Sequence, residues 1–351
     1  MPENESRELI LINMELDVGI LKEEALGAEY KHTGFLPLGS WGLNVYATRK
    51  YYTDVLGHHF KRNIEGSPPR DNRSANLYMI GSSRDSDIFK GQTALPDDST
   101  AEWKYTGKGT ASLATGRFQV LVFRDDKPPD ILIYVREPQY SHEAFHGHVF
   151  EIIHKILFMF RMFYMHAAAI EWNTRVSAFI GDRGSGKSTV CLRLAKAGAA
   201  IISDDHIVFK KNRGRFLVSG CEEIGRVTRK TEDAIFGKRL NMKAGRYGGV
   251  MKKEILLADY FECAHFKDFS INGIFFTRIG DNFGIVPVSK SEAVLRLIET
   301  TRPFSRFNRT EDYADYLTYF SELAGKTHTY DLMLTRDLND LNKLIAFLER
   351  I

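Results

Sequence analysis

Apolar and polar positions along the 351 residues fall into two regimes. Up to about residue 138 the apolar runs are short. Residues 8–14 predict a first strand. The runs 118–123 and 131–135, separated by Asp125-Asp126-Lys127-Pro128-Pro129, predict an antiparallel hairpin. The polar stretches 61–75, with Gly66, Pro68 and Pro69, and 94–101 read as loops. Residues 1–138 therefore predict a β-rich amino-terminal domain whose role the pattern does not disclose.

From residue 141 the period lengthens. Phe145, Val149, Ile152, Ile153, Ile156 and Phe160 recur at spacings of three and four, which predicts a helix over 141–163. Two strands follow, one led by His166 and running to 170, the other over 176–180, joined by a turn at Asn173-Thr174. The run 199–203 predicts a strand ending in Asp204-Asp205. A hairpin over 207–219 turns at Asn212-Arg213-Gly214, and 245–249 reads as a mobile glycine-rich loop. Strands are expected at 274–279, 284–288 and 328–334, and helices near 291–300, 310–324 and 337–350. The fold class is α/β (α+β over the whole chain), with a second domain at 139–351.

Composition changes little. Apolar content of 43% and charged content of 26% are those of a water-soluble globular chain. A net charge of +3 gives no pull toward nucleic acid or membranes. The most apolar window, 149–170, is interrupted by Glu151, His154, Lys155 and Arg161, so it reads as a buried helix rather than a membrane span. Cys191, Cys221 and Cys263 form no paired framework, which suits a reducing cytoplasm, and the acidic, polar start is not that of a signal peptide. A cytoplasmic protein is the expectation.

The chemistry concentrates at Gly181-Asp182-Arg183-Gly184-Ser185-Gly186-Lys187-Ser188-Thr189, which fits the phosphate-loop pattern G-x-x-x-x-G-K-[ST] from Gly181 to Ser188. A strand precedes it. Val190, Cys191, Leu194 and Ala195 follow at helical spacing, so a helix N-terminus is aimed at an anion. Glycines let successive N–H groups face phosphate oxygens. Lys187 would place its charge on the β- and γ-phosphates, and the Ser188 hydroxyl would ligate Mg²⁺. Asp204 and Asp205 come seventeen and eighteen residues after Lys187. In a parallel arrangement that strand end lies beside the loop, where one carboxylate holds Mg²⁺ and another takes a proton from an attacking hydroxyl.

Three weaker signals stand beside it. His166, taken alone, is more often a structural histidine than a catalytic one. Arg246, Lys252 and Lys253 flank the glycine-rich loop and could close on a γ-phosphate, or simply be solvated. His142-Glu143-Ala144-Phe145-His146 matches H-E-x-x-H, the pattern of a zinc metallopeptidase. It falls at the first turn of its predicted helix, and no further ligand follows at a recognised spacing.

The run from His166 through the loop to Asp204-Asp205 resembles the catalytic core of HPr kinase/phosphorylase and its relatives, over about residues 165–209. That family has a fold similar to phosphoenolpyruvate carboxykinase. The resemblance implies a serine-type kinase using ATP and Mg²⁺. It implies Asp204 as general base, Asp205 as positioning the metal with Ser188, and His166 as lining the site, and it brings a tendency to form homo-oligomers. Glu222-Glu223-Ile224-Gly225-Arg226-Val227 departs from the E-I-R-G-L-G-I segment tied to phosphorylase action, and Thr189 stands where the bifunctional enzymes carry Glu. Both departures direct the resemblance to a divergent branch that includes kinases of lasso-peptide precursors. The expected acceptor is a serine or other hydroxyl on a peptide or protein, then a small hydroxylated metabolite. An ATP-binding switch that transfers no phosphate is the alternative from another class.

Overall fold

The computed structural model describes residues 22–23, 25–62, 64, 73–82, 103–105, 109–114, 118–136, 142–242, 244–247, 249–264, 267–301, 310–335 and 340–351. They form two compact units. One draws its described residues from 1–36, 41–57 and 64–149, the other from 37–40, 58–63 and 150–351. The strand expected at 8–14 and the loop at 94–101 lie outside the described residues.

In the first unit seven strands form one sheet: β1 (His32–Pro37), β2 (Trp41–Ala47), β3 (Arg73–Ser82), β4 (Lys104–Tyr105), β5 (Thr110–Ala114), β6 (Phe118–Phe123) and β7 (Asp130–Arg136). Their order is β1-β2-β3-β7-β6-β5-β4. β6 and β7 make the expected hairpin, pairing Phe118 with Val135. β2, β3 and β7 are parallel, which the short alternating runs did not announce. A helix, α1 (Lys50–His59), follows β2 and buries Tyr52, Val55 and Leu56.

α2 (His142–Met159) carries the chain into the second unit. Its apolar stripe of Val149, Ile152, Ile153, Ile156 and Leu157 is buried. It stops short of the expected residue 163 because Arg161 turns into the left-handed region, at φ 59°. The next strand, β8 (Met162–Trp172), starts at once, so His166 lies in mid-strand rather than at its head. β9 (Arg175–Ile180) returns antiparallel through Asn173 and Thr174, both at positive φ. The glycine-rich loop, α3 (Lys187–Lys196) and β10 (Ala200–Ser203) come next.

β10 is not a direct neighbour of β9. Both are antiparallel to β8, which is inserted between them, so they run parallel to each other with His166's strand in the middle. β11 (His206–Asn212) continues along β8 in the register β10 ends on, Ser203 opposite Ala169 and His206 opposite His166. Asp204 and Asp205 fill the break. β12 (Arg215–Gly220) completes the expected hairpin.

β13 (Ile224–Thr228), α4 (Arg229–Phe236), β14 (Ala244–Tyr247) and β15 (Val250–Leu256) follow. β13, β15 and β14 form a small separate sheet, so residues 245–247 of the stretch expected to be a loop lie in one arm of a hairpin. β16 (Phe269–Ile279) pairs parallel with both β9 and β18 (His328–Leu334), and β17 (Gly284–Pro287) edges the sheet. α5 (Lys290–Thr301), α6 (Thr310–Lys326) and α7 (Leu341–Leu348) lie where the periodicity put them. Strand alternation divides the apolar residues between two layers. Met165, Ala167, Ala169, Ala178, Ile274 and Phe276 pack with Leu297 and Phe320 of α5 and α6. Ala168, Ile170, Phe179 and Phe275 pack with Val190, Leu194 and Leu344 of α3 and α7. The sheet is covered on both faces, and the whole is a mixed α/β fold.

Candidate functional site

The loop after β9 takes its shape from glycines where a side chain would not fit. A Cβ on Gly181 would stand 2.4 Å from the Thr277 carbonyl. Gly184 and Gly186 sit at φ 85° and 96°, in the left-handed region. Gly186 caps α3, and Ser185 Oγ is 3.0 Å from Thr277 Oγ1 on β16, which ties the loop to the sheet. Lys187 is buried and donates to the carbonyls of Gly181 and Asp182, at 2.7 and 3.1 Å. Burial lowers its pKa, an effect that Asp205, Asp204 and Asp182 oppose.

The break between β10 and β11 turns two carboxylates in different directions. Asp204 is buried beside Ser188, whose hydroxyl favours its charged form, and its Oδ1 has no hydrogen-bond partner among the described residues. Burial pushes its pKa up to about 6. Asp205 Oδ1 is 2.8 Å from His166 Nδ1, and its Oδ2 pairs with Lys61. Burial would raise this group, but the charges of His206 and Lys61 and the His166 hydrogen bond hold it well below the carboxylate range. For His166 burial wins over Asp205, and its pKa is lowered.

Behind the pair stands Glu222, fully buried two residues beyond β12. It lies 2.5 Å from His206 Nδ1 and accepts from Ser203 Oγ and the Asp205 N–H at 2.9 and 2.8 Å. Lys61 reaches it too, at 3.4 Å.

Two clefts open on this centre. The first, about 480 Å³, is lined by Gly184, Gly186, Lys187, Ser188, Thr189, His166 and Asp205, and by the cations Arg183, Arg193, Arg226, Lys230 and Lys252. The second, about 660 Å³, is lined by Gly181, Asp182, Phe276, Arg278, Arg296 and Glu299. His166 and Arg183 line both.

The residues of the 181–189 loop, His166, Asp204 and Asp205 thus gather in or against one region, with Gly181 and Asp182 on the side of the second cleft. Of the three cations singled out around 246–253, only Lys252 lines the first cleft. Lys253 is tied to Glu232 at 2.7 Å and to the Leu240 carbonyl, and Arg246 is exposed on β14. Reasoning from sequence missed Lys61, Glu222, Arg193 and Lys230. Arg193 had a signal, since it shares a face of α3 with Thr189; Lys61 had none. The side chains of His142, Glu143 and His146 lie outside the described residues. Among the described residues the His/Cys/Asp/Glu group spaced for a metal is His166, Asp205 and His206, with ligand atoms within 4.8 Å of one another. No described helix is long and apolar enough to cross a membrane.

No family model and no curated protein matches the chain. Among solved structures, the HPr(Ser) kinase/phosphatase from Coxiella burnetii aligns at a TM-score of 0.27 and 10% identity. The alignment covers 53% of this chain and 93% of that one. A likeness at that level leaves the chemistry to be read from the side chains.

Proposed function

We propose that this chain is an ATP- and Mg²⁺-dependent kinase that transfers the γ-phosphate to a hydroxyl, with serine on a peptide or protein as the first candidate acceptor. The observation that carries the reading is the Ser188–Asp204 pair. It joins a hydroxyl and a buried carboxylate with an unpartnered oxygen, at the mouth of a glycine loop and beside a cation-lined cleft. Oxygen donors of this kind suit a hard divalent ion. When bound, Mg²⁺ would neutralise charge on the phosphate oxygens; Ser188 and Asp204 would hold it.

The chain's own groups then divide the work. The loop N–H groups and Lys187 bind the β- and γ-phosphates, and Arg193, Lys230 and Lys252 add positive charge along the same cleft. Asp204, with a pKa near 6, is ionised at neutral pH and basic enough to take the acceptor's proton. His166 and Arg183 line both clefts; on this reading the nucleotide occupies the first, beside the glycine loop, and the acceptor the second. The roles of Asp204 as base and of His166 in the site follow the resemblance of residues 165–209 to HPr kinase/phosphorylase and its relatives. The metal differs, because the resemblance implied Asp205, which here is paired with Lys61 and His166. Calorimetric titration of Mg-ATP into the wild-type protein and Lys187→Ala tests it. Binding that collapses in the variant is expected, and no binding to folded wild-type protein would sink the reading. Asp204→Asn should then keep much of the nucleotide affinity while losing transfer to hydroxyl peptides; a switch would show no transfer in wild-type protein and would keep its partner binding in the variant.

A further inference from the structure

Lys61 comes from a stretch that the sequence marks only as polar, yet it lies among the site carboxylates. The segment 58–63 belongs to the second compact unit. Lys61 takes a left-handed backbone, φ 48°, uncommon for a residue with a side chain. Two hydrogen bonds hold that turn in place, from the Glu223 and Ile224 N–H groups to the Lys61 carbonyl, at 3.1 and 3.0 Å. Arg62 adds a contact to Glu223 at 3.4 Å. The Lys61 side chain is 2% exposed, and its ammonium pairs with Asp205 Oδ2 and lies 3.4 Å from Glu222 Oε1.

The charge count gives this placement meaning. Asp204, Asp205 and Glu222 are three carboxylates in one buried neighbourhood, and Asp205 and Glu222 converge on a single point. Two carboxylates with a common focus either share a proton or draw in a cation. Here the chain supplies the cation. His166, Asp205 and His206 have the spacing to gather a metal ion, and the Lys61 charge on Asp205 stands against one. Asp205 is held on one side by Lys61 and on the other by His166, which leaves Asp204 as the carboxylate with a free oxygen.

On the kinase reading above, we propose that Lys61 is a positioning residue of the phosphotransfer centre. It is a chain-borne cation that fixes Asp205 against His166, keeps divalent metal off the Asp205–Glu222 pair, and confines metal to Ser188 and Asp204.

The test is Mn²⁺ titration by electron paramagnetic resonance on the full-length chain, with and without a non-hydrolysable ATP analogue, alongside transfer kinetics. Lys61→Met should gain a Mn²⁺ site that wild-type protein lacks, present even without nucleotide. Its kcat should fall about 100-fold, as expected for a misplaced catalytic group, with KM for ATP nearly unchanged. Lys61→Arg should restore the wild-type Mn²⁺ count and most of kcat. If Lys61→Met does not fold, Lys61→Met/Glu222→Gln removes the cation with one of its anions; there kcat should stay low because Asp205 is no longer held. Equal Mn²⁺ counts in wild type and Lys61→Met, or wild-type kcat in the double variant, would overturn the proposal. A purely structural lysine would lower stability and move neither reading. Failure of the kinase reading shows separately, as no nucleotide-dependent Mn²⁺ binding in wild-type protein.

Discussion

His166 Nδ1 lies 2.8 Å from Asp205 Oδ1, and the register that sets His206 opposite His166 is what brings them together. A strand that separates β9 from β10 thus delivers a ring nitrogen to the carboxylate beside the glycine loop. His166→Ala should lower kcat about 10- to 100-fold, in the range of a lost positioning contact, and leave nucleotide affinity within a few-fold. His166→Asn keeps a donor near Nδ1 and should recover part of the loss. Steady-state kinetics with calorimetry on the same preparations separates the two quantities; an unchanged kcat in His166→Ala would remove His166 from the site.

Asp204 has its pKa raised from 3.8 to about 6 by burial, so its sign is opposite to that of a salt-bridged aspartate. The stability it contributes is fully present below its unfolded value and is lost as pH rises through about 6, because the buried charge must then form. Asp204→Asn carries no such charge. In metal-free buffer the variant should therefore gain on wild type by about 1–2 kcal/mol between pH 5 and pH 8. Urea unfolding at the two pH values checks this. A gap that stays constant with pH would mean Asp204 is not buried as a charge.

Lys155 on α2 and Asp312 on α6 form a buried ion pair, with side chains 1% and 7% exposed. Removing one partner takes a countercharge away from the other in a buried setting. Lys155→Met should cost about 3–5 kcal/mol of stability, and Lys155→Met/Asp312→Leu should recover most of it. Nucleotide affinity per folded molecule should not change, because neither residue lines a cleft.

Periodicity located α5, α6 and α7 because each buries one stripe, but not β13, α4, β14 or β15; the 165–209 motif singled out Lys187, Ser188, Asp204 and His166 because the chemistry it suggests depends on short spacings. What it could not find is set by long-range pairing. The insertion of β8 between β9 and β10 leaves no mark in either strand's residues, since all three are apolar on both faces. The helix over 141–163 ran too long because Phe160 and Phe163 continue its spacing; the left-handed Arg161 that ends it is not a residue type that signals a stop. Lys61 looks like any lysine in a polar stretch, and only the fold sets it 144 residues away in sequence from its partner Asp205. Lys253, by contrast, had a plausible place near the loop and is spent on Glu232.

Gly186 and Gly198 bracket α3, both with positive φ, 96° and 114°, and together they separate strain from function. A Cβ at Gly198 meets nothing within 4 Å, so Gly198→Ala carries backbone strain alone. A Cβ at Gly186 meets Leu334 and Ile279 side chains at 3.1 and 3.2 Å, at the point where α3 presents its first N–H groups to the cleft. Each alanine should cost about 1–2 kcal/mol of stability, the penalty for a left-handed backbone with a side chain. Relief of the Gly186 strain would move the helix N-terminus away from the phosphates. Gly186→Ala should therefore weaken Mg-ATP binding about tenfold or more, the loss of one or two well-placed hydrogen bonds, while Gly198→Ala binds as wild type. Calorimetry on both variants, at a temperature where each is folded, reads the difference; equal affinities would mean the loop does not hold phosphate through the start of α3.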